Sequence, residues 1–409
     1  MNSPISVTSE VENLKSVLLH RPGRELESLT PQYLDSMLFE DIPFLAQMQS
    51  EHDMFANLLR EQGCSVHYIE TLLGEVFQDD EQRKLAVDYL VNSSQIFSPS
   101  LKRIVQEHLH EANANALVAY CIGGLLKTDI DDKVEHKTLS YYIRDTFPYY
   151  IPPLPNLYFT RDPATVVGGG VSINLMKSES RRRENWILSL IAKHNPLFAQ
   201  ARIHQDYTAN SSIEGGDILM LNEKSAICGS SARTDVWAIE GFANRMLAPI
   251  EEGGEGLETV LVMQIPYTRA YMHLDTVFTM VDRDAFCMFP GIGASVNVFS
   301  MRRNNKDHLD IHAESSLKRA LKQTLRVPSV NIIKSGGNDA IASAREQWND
   351  STNTLAIAPG KVITYCRNVV SNEVLQQNGI EVLSIKGSEL VRGRGGPRCM
   401  SMPLWRERV

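Results

Sequence analysis

The sequence predicts an α/β protein in which a repeated hairpin–helix unit surrounds a central site and an all-helical segment interrupts the repeat. Two apolar runs joined by a tight polar or glycine turn, with a helix after them, recur four times. Between residues 74 and 149 glycines become sparse and helical spacing prevails. With 409 residues, 43% of them hydrophobic and 22% charged, the chain is long enough for more than one folding unit.

The first 73 residues predict a strand, a helix and a second strand. Residues 16–20 form an apolar run closed by a Pro-Gly turn, residues 44–62 carry apolar side chains on one helical face, and residues 66–69 form another apolar run. We assign these elements to the repeat as a fifth unit, so that residues 1–73 and 150–409 form one domain.

Residues 74–149 predict a helical insertion domain. Ser98 is a favourable N-cap, and Pro99 fits the first position of a helix. The alanine-rich residues 112–121 continue the helical pattern, and prolines from residue 148 onward mark the exit.

The repeated hairpins and their helices are predicted from apolar runs that flank short turns. The hairpins lie at residues 157–173, 218–228, 277–289 and 354–365. The helices that follow them lie near residues 184–193, 235–247, 314–325 and 372–378. Pattern repeats at about 50 residues or more favour a radial or stacked arrangement with a central site.

Composition and charge restrict the function. The net charge of -8 disfavours nucleic-acid binding and suits a small cationic substrate. Six cysteines are spread along the chain without the spacing of a zinc site or a disulfide framework. No secretory leader and no apolar run of about 18 residues is visible, so we expect a cytoplasmic protein that does not enter a membrane.

A glycine-rich loop near the C-terminus ends in a thiol. Residues 393–399 contain three glycines and a proline, which let the backbone approach a ligand closely. Arg394 and Arg398 flank Cys399, and neighbouring cations are expected to lower a thiol pKa. The alternative is that Cys399 is a small buried apolar residue after a turn.

Three acid-bearing motifs stand immediately before the first three hairpins. Asp162 ends the first motif, Glu214 begins the second, and His273 and Asp275 alternate on a presumed strand in the third. Taken singly, these residues are typical of ordinary turns or of a structural histidine. A radial arrangement would bring them together with Cys399, and several acids around one point favour a cation as ligand.

Candidate anchors for the other end of a substrate are arginines. Residues 181–183 are three consecutive arginines, and Arg233 lies between the second hairpin and its helix. A run of arginines is more commonly a solvated surface, so Arg233 is the better placed candidate.

With these motifs the chain resembles the bacterial arginine deiminases of the guanidine-modifying (pentein) superfamily, over essentially its whole length and including the helical insertion. The resemblance is carried by Phe159-Thr160-Arg161-Asp162, Glu214-Gly215-Gly216-Asp217, Met272-His273-Leu274-Asp275 and the segment from Gly395 to Leu404.

The resemblance implies a five-bladed ββαβ propeller that hydrolyses L-arginine to L-citrulline and ammonia, the first step of arginine catabolism. Cys399 would be the nucleophile, His273 and Glu214 would transfer protons, and Asp162 and Asp275 would hold the guanidinium. Further substrate contacts are expected from Asn156, Phe159, Arg181, Arg233 and Gly393. No metal or organic cofactor is expected, and the protein is expected to be a homo-oligomer, a dimer or a tetramer.

Three alternatives remain open from the sequence. A related guanidine hydrolase or an amidinotransferase would use the same nucleophile, and the latter would pass the amidino group to an amine. A non-catalytic arginine-binding protein would need neither Cys399 nor His273. The basic, glycine-rich end also resembles a short RNA-binding segment, although that pattern is not repeated.

Overall fold

The computed structural model describes residues 5–94, 96–134, 147–205, 210–293, 296–304 and 308–408. Its helices are α1 (Leu45–Glu61), α2 (Ile69–Val76), α3 (Asp80–Ser93), α4 (Pro99–His110), α5 (Ala114–Gly123), α6 (Arg182–His194), α7 (Val236–Leu247), α8 (Leu317–Leu325), α9 (Ala340–Trp348) and α10 (Val369–Gln377). Its strands are β1 (Leu14–Leu19), β2 (Ser65–Tyr68), β3 (Leu125–Leu126), β4 (Tyr149–Ile151), β5 (Ala164–Val167), β6 (Gly170–Ile173), β7 (Arg202–Gln205), β8 (Ile218–Asn222), β9 (Ser225–Ser230), β10 (Thr259–Gln264), β11 (Phe278–Asp282), β12 (Ala285–Met288), β13 (Asn297–Asn304), β14 (His308–Ala313), β15 (Asn331–Lys334), β16 (Leu355–Ala358), β17 (Lys361–Tyr365), β18 (Glu381–Ile385) and β19 (Met402–Arg406).

One three-stranded arrangement recurs in five sheets of the described residues. Two strands pair antiparallel, and a third strand, reached through a helix, pairs parallel with the second. These strand sets are β5-β6-β7, β8-β9-β10, β11-β12-β15, β16-β17-β18 and β19-β1-β2. A parallel return requires a crossover, which the intervening helix supplies. The predicted hairpins are confirmed, and β1, α1 and β2 complete their unit with β19 from the other end of the chain.

Hydrogen bonds join the segments that precede the first strands of these sheets into a closed ring. Each bond links one segment to the next, and the last segment returns to the first. The bonds are Gly215 N to Asp162 O (3.0 Å), Leu274 N to Asp217 Oδ1 (2.7 Å), Thr352 Oγ1 to Thr276 O (2.5 Å), Cys399 N to Asn353 Oδ1 (2.9 Å) and Arg161 N to Cys399 O (3.1 Å). The predicted acid-bearing motifs and the cysteine loop therefore meet at one centre.

The ring also explains where the local predictions were wrong. Residues 157–163 were expected in a strand, but they form turns, and the strand begins at Ala164. His273 and Asp275 do not alternate on a strand, because Leu274–Thr276 is a short 3₁₀ helix. Its Leu274 N–H is taken by the Asp217 carboxylate instead of a neighbouring strand. A hairpin, β13–β14, was not expected and extends the sheet of β10.

The helices that follow β2 share a core with the sheets. Asp79, Ser98 and Asn113 cap α3, α4 and α5 with their side chains, as favourable N-cap residues do. Apolar residues of these helices belong to the same buried cluster as residues of β5, β6 and α6. The ring of Tyr89 stacks on that of Trp186, with centroids 4.1 Å apart. The division into a helical domain at 74–149 and a second domain stays a prediction, and residues 135–146 lie outside the described part.

Among the residues that the structure describes, no helix combines the length and apolar character needed to cross a membrane.

Candidate active site

A small cavity at the centre of the ring contains most of the predicted site residues. It is lined by Leu38, Asn156, Phe159, Asp162, Arg181, Arg233, Met272, His273, Gly393, Arg394 and Cys399. Glu214 and Asp275 lie directly behind this lining, where they contact His273 and Cys399. Residues up to 361 positions apart in the chain, from Leu38 to Cys399, thus line one cavity.

His273 is paired with a buried carboxylate. Its Nε2 lies 2.7 Å from Glu214 Oε2, and its Nδ1 lies 3.9 Å from Asp162 Oδ1. Burial alone would lower the pKa of His273, but Asp162 and Glu214 overcome this effect and raise it to about 9. Burial likewise opposes ionisation of Glu214, yet His273 lowers its pKa to about 2. At neutral pH the pair is therefore an imidazolium and a carboxylate.

The position of the imidazole is fixed by close packing. A Cβ atom added to Gly216 would stand 2.7 Å from His273 Cγ, so the glycine lets its backbone lie against the ring. The Lys177 N–H donates to Glu214 Oε1 at 2.9 Å and holds the other side of the pair. His273 therefore presents one face to the cavity in a fixed orientation.

The expected effect of the flanking arginines on Cys399 is wrong for this structure. Burial raises the pKa of Cys399 well above its ordinary value, and the carboxylates of Asp275, Asp162 and Asp350 add to the increase. Arg398 opposes the increase but is itself bound to acids. The thiol consequently needs an additional nearby cation before it can ionise readily.

Asn353 contacts Cys399 and was not among the residues predicted from the sequence. Its Nδ2 lies 3.0 Å from Cys399 Sγ, and its Oδ1 accepts the Cys399 N–H at 2.9 Å and the Gly396 N–H at 3.2 Å. Because the amide oxygen faces two N–H groups, the amide nitrogen must face the sulfur as a donor. Asn353 stands immediately before the fourth hairpin, the same location as the other motifs, and this position was the available signal.

Asp162 is held by an arginine that is held in turn by a glutamate. Arg181 Nη1 donates to Asp162 Oδ2 at 2.7 Å. The Nε and Nη2 atoms of the same guanidinium bind Glu184, with Nε to Oε1 at 2.9 Å and Nη2 to Oε2 at 2.8 Å. We refer to Glu184, Arg181 and Asp162 as the Asp162 arm.

Asp275 is held in the same way by residues from other parts of the chain. Arg398 Nη1 donates to Asp275 Oδ2 at 2.8 Å. Its Nε and Nη2 atoms bind Glu10 Oε2 and Oε1, both at 3.1 Å. Glu10, Arg398 and Asp275 form the Asp275 arm, which repeats the Asp162 arm atom for atom.

Each arm leaves one carboxylate oxygen available. Within the described residues, Oδ1 of Asp162 and Oδ1 of Asp275 are buried and lack a hydrogen-bond partner. A buried, unpaired carboxylate oxygen is costly, and an N–H donor from a ligand would relieve that cost. Two such oxygens near a thiol and an imidazolium match a planar cation with several N–H groups.

The cavity residues away from Asp275 and Cys399 restrict the identity of a ligand less strictly. Among the described residues, the Arg233 guanidinium donates only to Met272 Sδ, at 3.6 Å, so it can accept an anionic group. Asn156 Nδ2 is bound to the Met37 carbonyl at 2.6 Å. A Cβ atom at Gly393 would lie 2.2 Å from Tyr158 Oη, which explains a glycine there. Arg181 reaches the cavity, but its donors already serve Asp162 and Glu184.

The two arginines that follow Arg181 do not line the cavity. Arg182 is half exposed and pairs with Glu179, whereas Arg183 binds the carbonyl groups of Cys121 and Pro152. Arg183 therefore connects α6 to helix α5 and to the residue that follows β4. Neither Arg182 nor Arg183 is placed to bind a ligand in the cavity.

One subset of these groups also has the spacing of metal ligands. Ligand atoms of Asp162, Glu214 and His273 lie within 4.8 Å of one another. Glu214 and His273, however, satisfy each other as an ion pair, and Arg181 occupies Oδ2 of Asp162. The negative charges of Glu214 and Asp162 are therefore already balanced by His273 and Arg181, which is not typical of metal ligands.

Solved structures with similar folds define the fold class. Dimethylarginine dimethylaminohydrolase from Pseudomonas aeruginosa, in a complex with citrulline, is 16% identical, with a TM-score of 0.51 and coverage of 95% of this chain and 99% of that chain. The amidinotransferase SxtG from Microseira wollei is 11% identical, with a TM-score of 0.55 and coverage of 99% and 98%. The chain thus has the pentein fold, as the sequence predicted.

Sequence relatives narrow this class to one family. The family model for arginine deiminase matches residues 35–406. An arginine deiminase from Bacillus cytotoxicus is 45% identical over 418 residues, with all of both chains covered. One from Latilactobacillus sakei is 43% identical over 414 residues, again over the full length of both. The chain belongs to the arginine deiminase family, and the resemblance seen in the sequence is confirmed.

Proposed function

We propose that the protein hydrolyses L-arginine to L-citrulline and ammonia through a covalent intermediate on Cys399. The observation that carries this proposal is a pair of buried Oδ1 atoms that lack a hydrogen-bond partner in the part of the chain that the structure describes. One belongs to Asp162, which lines the cavity with Cys399 and His273, and the other to Asp275, whose Oδ2 contacts Cys399 Sγ. A guanidinium group has N–H donors in one plane and a permanent charge, so two fixed carboxylate oxygens can hold it in one orientation.

The substrate itself supplies the cation that Cys399 lacks. Carboxylates and burial raise the thiol pKa, and a guanidinium placed between Asp162 and Asp275 offsets both carboxylates at once. Thiolate formation is thereby coupled to binding, and the thiol proton leaves to solvent. This coupling limits reaction of the nucleophile before arginine is in place.

The chemistry then proceeds in two halves. The Cys399 thiolate attacks the guanidinium carbon and forms a C–S bond, giving a neutral tetrahedral adduct. His273 donates its proton to one amino group, which leaves as ammonia, and a thiouronium cation remains on sulfur.

In the second half, neutral His273 takes a proton from water, and the resulting hydroxide attacks the same carbon. The C–S bond then breaks, sulfur keeps the electron pair as thiolate, and the hydroxyl proton passes to solvent. The product is citrulline. Glu214 orients His273 and keeps its pKa high enough to act as the donor.

The α-carboxylate end of the substrate would be bound at the end of the cavity away from Cys399. Arg233 can bind the α-carboxylate, with Asn156, Phe159 and the Gly393 carbonyl as further contacts. Arg181 lines the same cavity but acts through Asp162, because each of its nitrogens donates to Asp162 or Glu184. Agmatine has the guanidinium but no carboxylate. We therefore expect a much lower kcat/KM for agmatine than for arginine, and equal values would count against this part of the proposal.

The test is product formation by purified protein from arginine, without added cofactor. Citrulline and ammonia should appear in equal amounts, and Cys399→Ser should abolish both. Cys366→Ser is the matched control, because Cys366 is an exposed cysteine outside the cavity. Transfer of the amidino group to an added amine, or arginine binding without ammonia release, would reject the hydrolase in favour of an amidinotransferase or a binding protein.

The biological setting and the oligomeric state are further parts of the proposal. The reaction would be the first step of arginine catabolism in the cytoplasm, carried out by a homo-oligomer. Sedimentation of the purified protein would measure the oligomeric state.

A further inference from the structure

We propose that Glu184 and Glu10 act as positioning residues that keep two internal guanidinium groups from occupying the substrate's place on Asp162 and Asp275. This inference rests on the proposed function, because it concerns the two aspartates that would hold arginine. It assigns the outer glutamates a role in substrate affinity that goes beyond balancing buried charge.

The arms contain a chemical conflict. Arg181 and Arg398 carry the same group as the proposed substrate, and each lies within hydrogen-bond distance of an aspartate that should bind that substrate. A guanidinium beside a carboxylate favours two parallel hydrogen bonds, one to each oxygen. Such a fork would consume the Oδ1 atom that arginine needs, and the protein would inhibit itself.

The glutamates remove this conflict by occupying the other edge of each guanidinium. Glu184 binds the Nε and Nη2 atoms of Arg181, and Glu10 binds the Nε and Nη2 atoms of Arg398. Only Nη1 remains for the aspartate, and it reaches Oδ2 alone. Backbone carbonyls reinforce the arrangement, since Arg398 Nη2 also donates to Ile218 O at 2.8 Å.

Charge balance alone does not account for this geometry. An arginine–aspartate fork would neutralise the aspartate without an outer glutamate and would satisfy both carboxylate oxygens. Both arms instead add a third buried charge and leave Oδ1 without a partner among the described residues. Glu184 is three residues from Arg181, whereas Glu10 is 388 positions from Arg398. Two unrelated parts of the chain have thus reached the same contacts.

The test compares Glu184→Gln with the wild-type protein in steady-state kinetics on arginine. An amide holds the guanidinium less firmly, so Arg181 can turn its second nitrogen toward Asp162 Oδ1. We expect KM to rise about tenfold, the equivalent of one hydrogen bond to a charged group, with a smaller change in kcat. Glu179→Gln is the control, because Glu179 is exposed and lies in the 3₁₀ turn that ends at Arg181.

A second substitution separates this role from a structural one. Lysine cannot form a fork, so Glu184→Gln combined with Arg181→Lys should bring KM back toward the wild-type value. A purely structural glutamate predicts that the double variant is at least as impaired as the single one. Glu10→Gln tests the other arm in the same way, with Glu12→Gln as its control, since Glu12 is also buried and paired with an arginine, Arg283.

The possible results are distinguishable. A wild-type protein that releases no ammonia from arginine would overturn the proposed function. A wild-type protein that does so, together with an unchanged KM in both glutamine variants, would overturn only the inference. Failure of both glutamine variants to fold, with both controls folded, would also overturn it, because the glutamates would then act on stability.

Discussion

The Asp162 arm and the Asp275 arm have the same contacts but different surroundings. Burial opposes ionisation of both outer glutamates. Around Glu184 the carboxylates of Asp162 and Glu214 add to that effect, and its pKa rises to about 7 despite Arg181. Around Glu10 the cations of Arg398, Arg161 and Arg406 prevail, and its pKa falls to about 2.

The two arms therefore show that the same hydrogen-bond geometry does not give the outer glutamates the same pKa. The pKa of Arg181 is raised above its ordinary value, so the guanidinium stays charged and any proton taken up by that pair goes to Glu184. Glu10 is therefore ionised at physiological pH, whereas the pKa of Glu184 lies within the physiological range. Because the Asp275 arm also contacts Cys399, the glutamate with the lowered pKa belongs to the arm that lies against this thiol.

The largest difference between the arms should appear in stability. Glu10→Gln removes a full charge from a buried pair and should lower the free energy of unfolding at pH 7 by about 3–5 kcal/mol. Glu184→Gln should cost less, about 1–3 kcal/mol, because Glu184 is already partly protonated at that pH. Urea unfolding followed by circular dichroism measures both, and an equal or reversed order would refute the assigned difference.

Removal of the carboxylate charge of Asp162 or of Asp275 should reduce catalysis by a similar amount. Asp162→Asn and Asp275→Asn should each reduce transition-state binding, measured by kcat/KM, by about 2–5 kcal/mol, because each leaves a guanidinium partly unpaired. Asp284→Asn, in the exposed turn between β11 and β12, is the control. A kcat/KM near the wild-type value in either aspartate variant would show that this arm does not hold the substrate.

The four repeated hairpins and the convergence of their preceding motifs were open to prediction from the sequence because both depend on local pattern, whereas the hairpin β13–β14 and helix α9 were not predicted. Turns flanked by apolar runs located the hairpins, and the placement of Asp162, Glu214 and His273 before them indicated one centre. The 3₁₀ turn after His273 was not predictable, because it depends on the Asp217 carboxylate that takes the Leu274 N–H.

The supporting residues could not be found because their roles depend on distant partners. Glu10 has no local signal for a site, and its partner Arg398 lies at the other end of the chain. Glu184 looks like an ordinary first-turn acid of α6. The state of Cys399 was misjudged for the same reason, since neighbours in sequence suggested cations while neighbours in space are mainly carboxylates.

The contact of Asn353 with Cys399 should give a smaller effect. Asn353 donates to Cys399 Sγ, so Asn353→Ala should raise the thiol pKa and reduce kcat/KM by about 1.5–3 kcal/mol, the range for a hydrogen bond to a charged group. The pH dependence of Cys399 alkylation, measured in a Cys366→Ser background, reports the pKa directly. Asn378→Ala, on an exposed amide, should leave that profile unchanged. An unaltered profile in Asn353→Ala would mean that the contact does not stabilise the thiolate.

The smallest expected effect is a pH dependence that belongs to one arm only. The charged groups that interact with Glu184 are Arg181, Asp162, Glu214 and Arg183. Its folded pKa of about 7 exceeds the ordinary 4.5, so the folded protein takes up a proton here as pH falls from about 8 to 6. A protonated Glu184 resembles glutamine, so it binds Arg181 less strongly. The KM for arginine should therefore rise by up to about tenfold as the pH is lowered.

Comparison of variants isolates the contribution of Glu184 to the pH dependence of KM. Burial also raises the pKa values of Asp217 and Asp350 to about 7, but both residues remain in Glu184→Gln. The wild-type protein and Glu10→Gln should therefore show the extra rise in KM between pH 8 and 6, and Glu184→Gln should lack it because its KM is already high at pH 8. Parallel profiles for the wild-type protein and Glu184→Gln would mean that Glu184 does not titrate in this range, and the two arms would then be electrostatically alike.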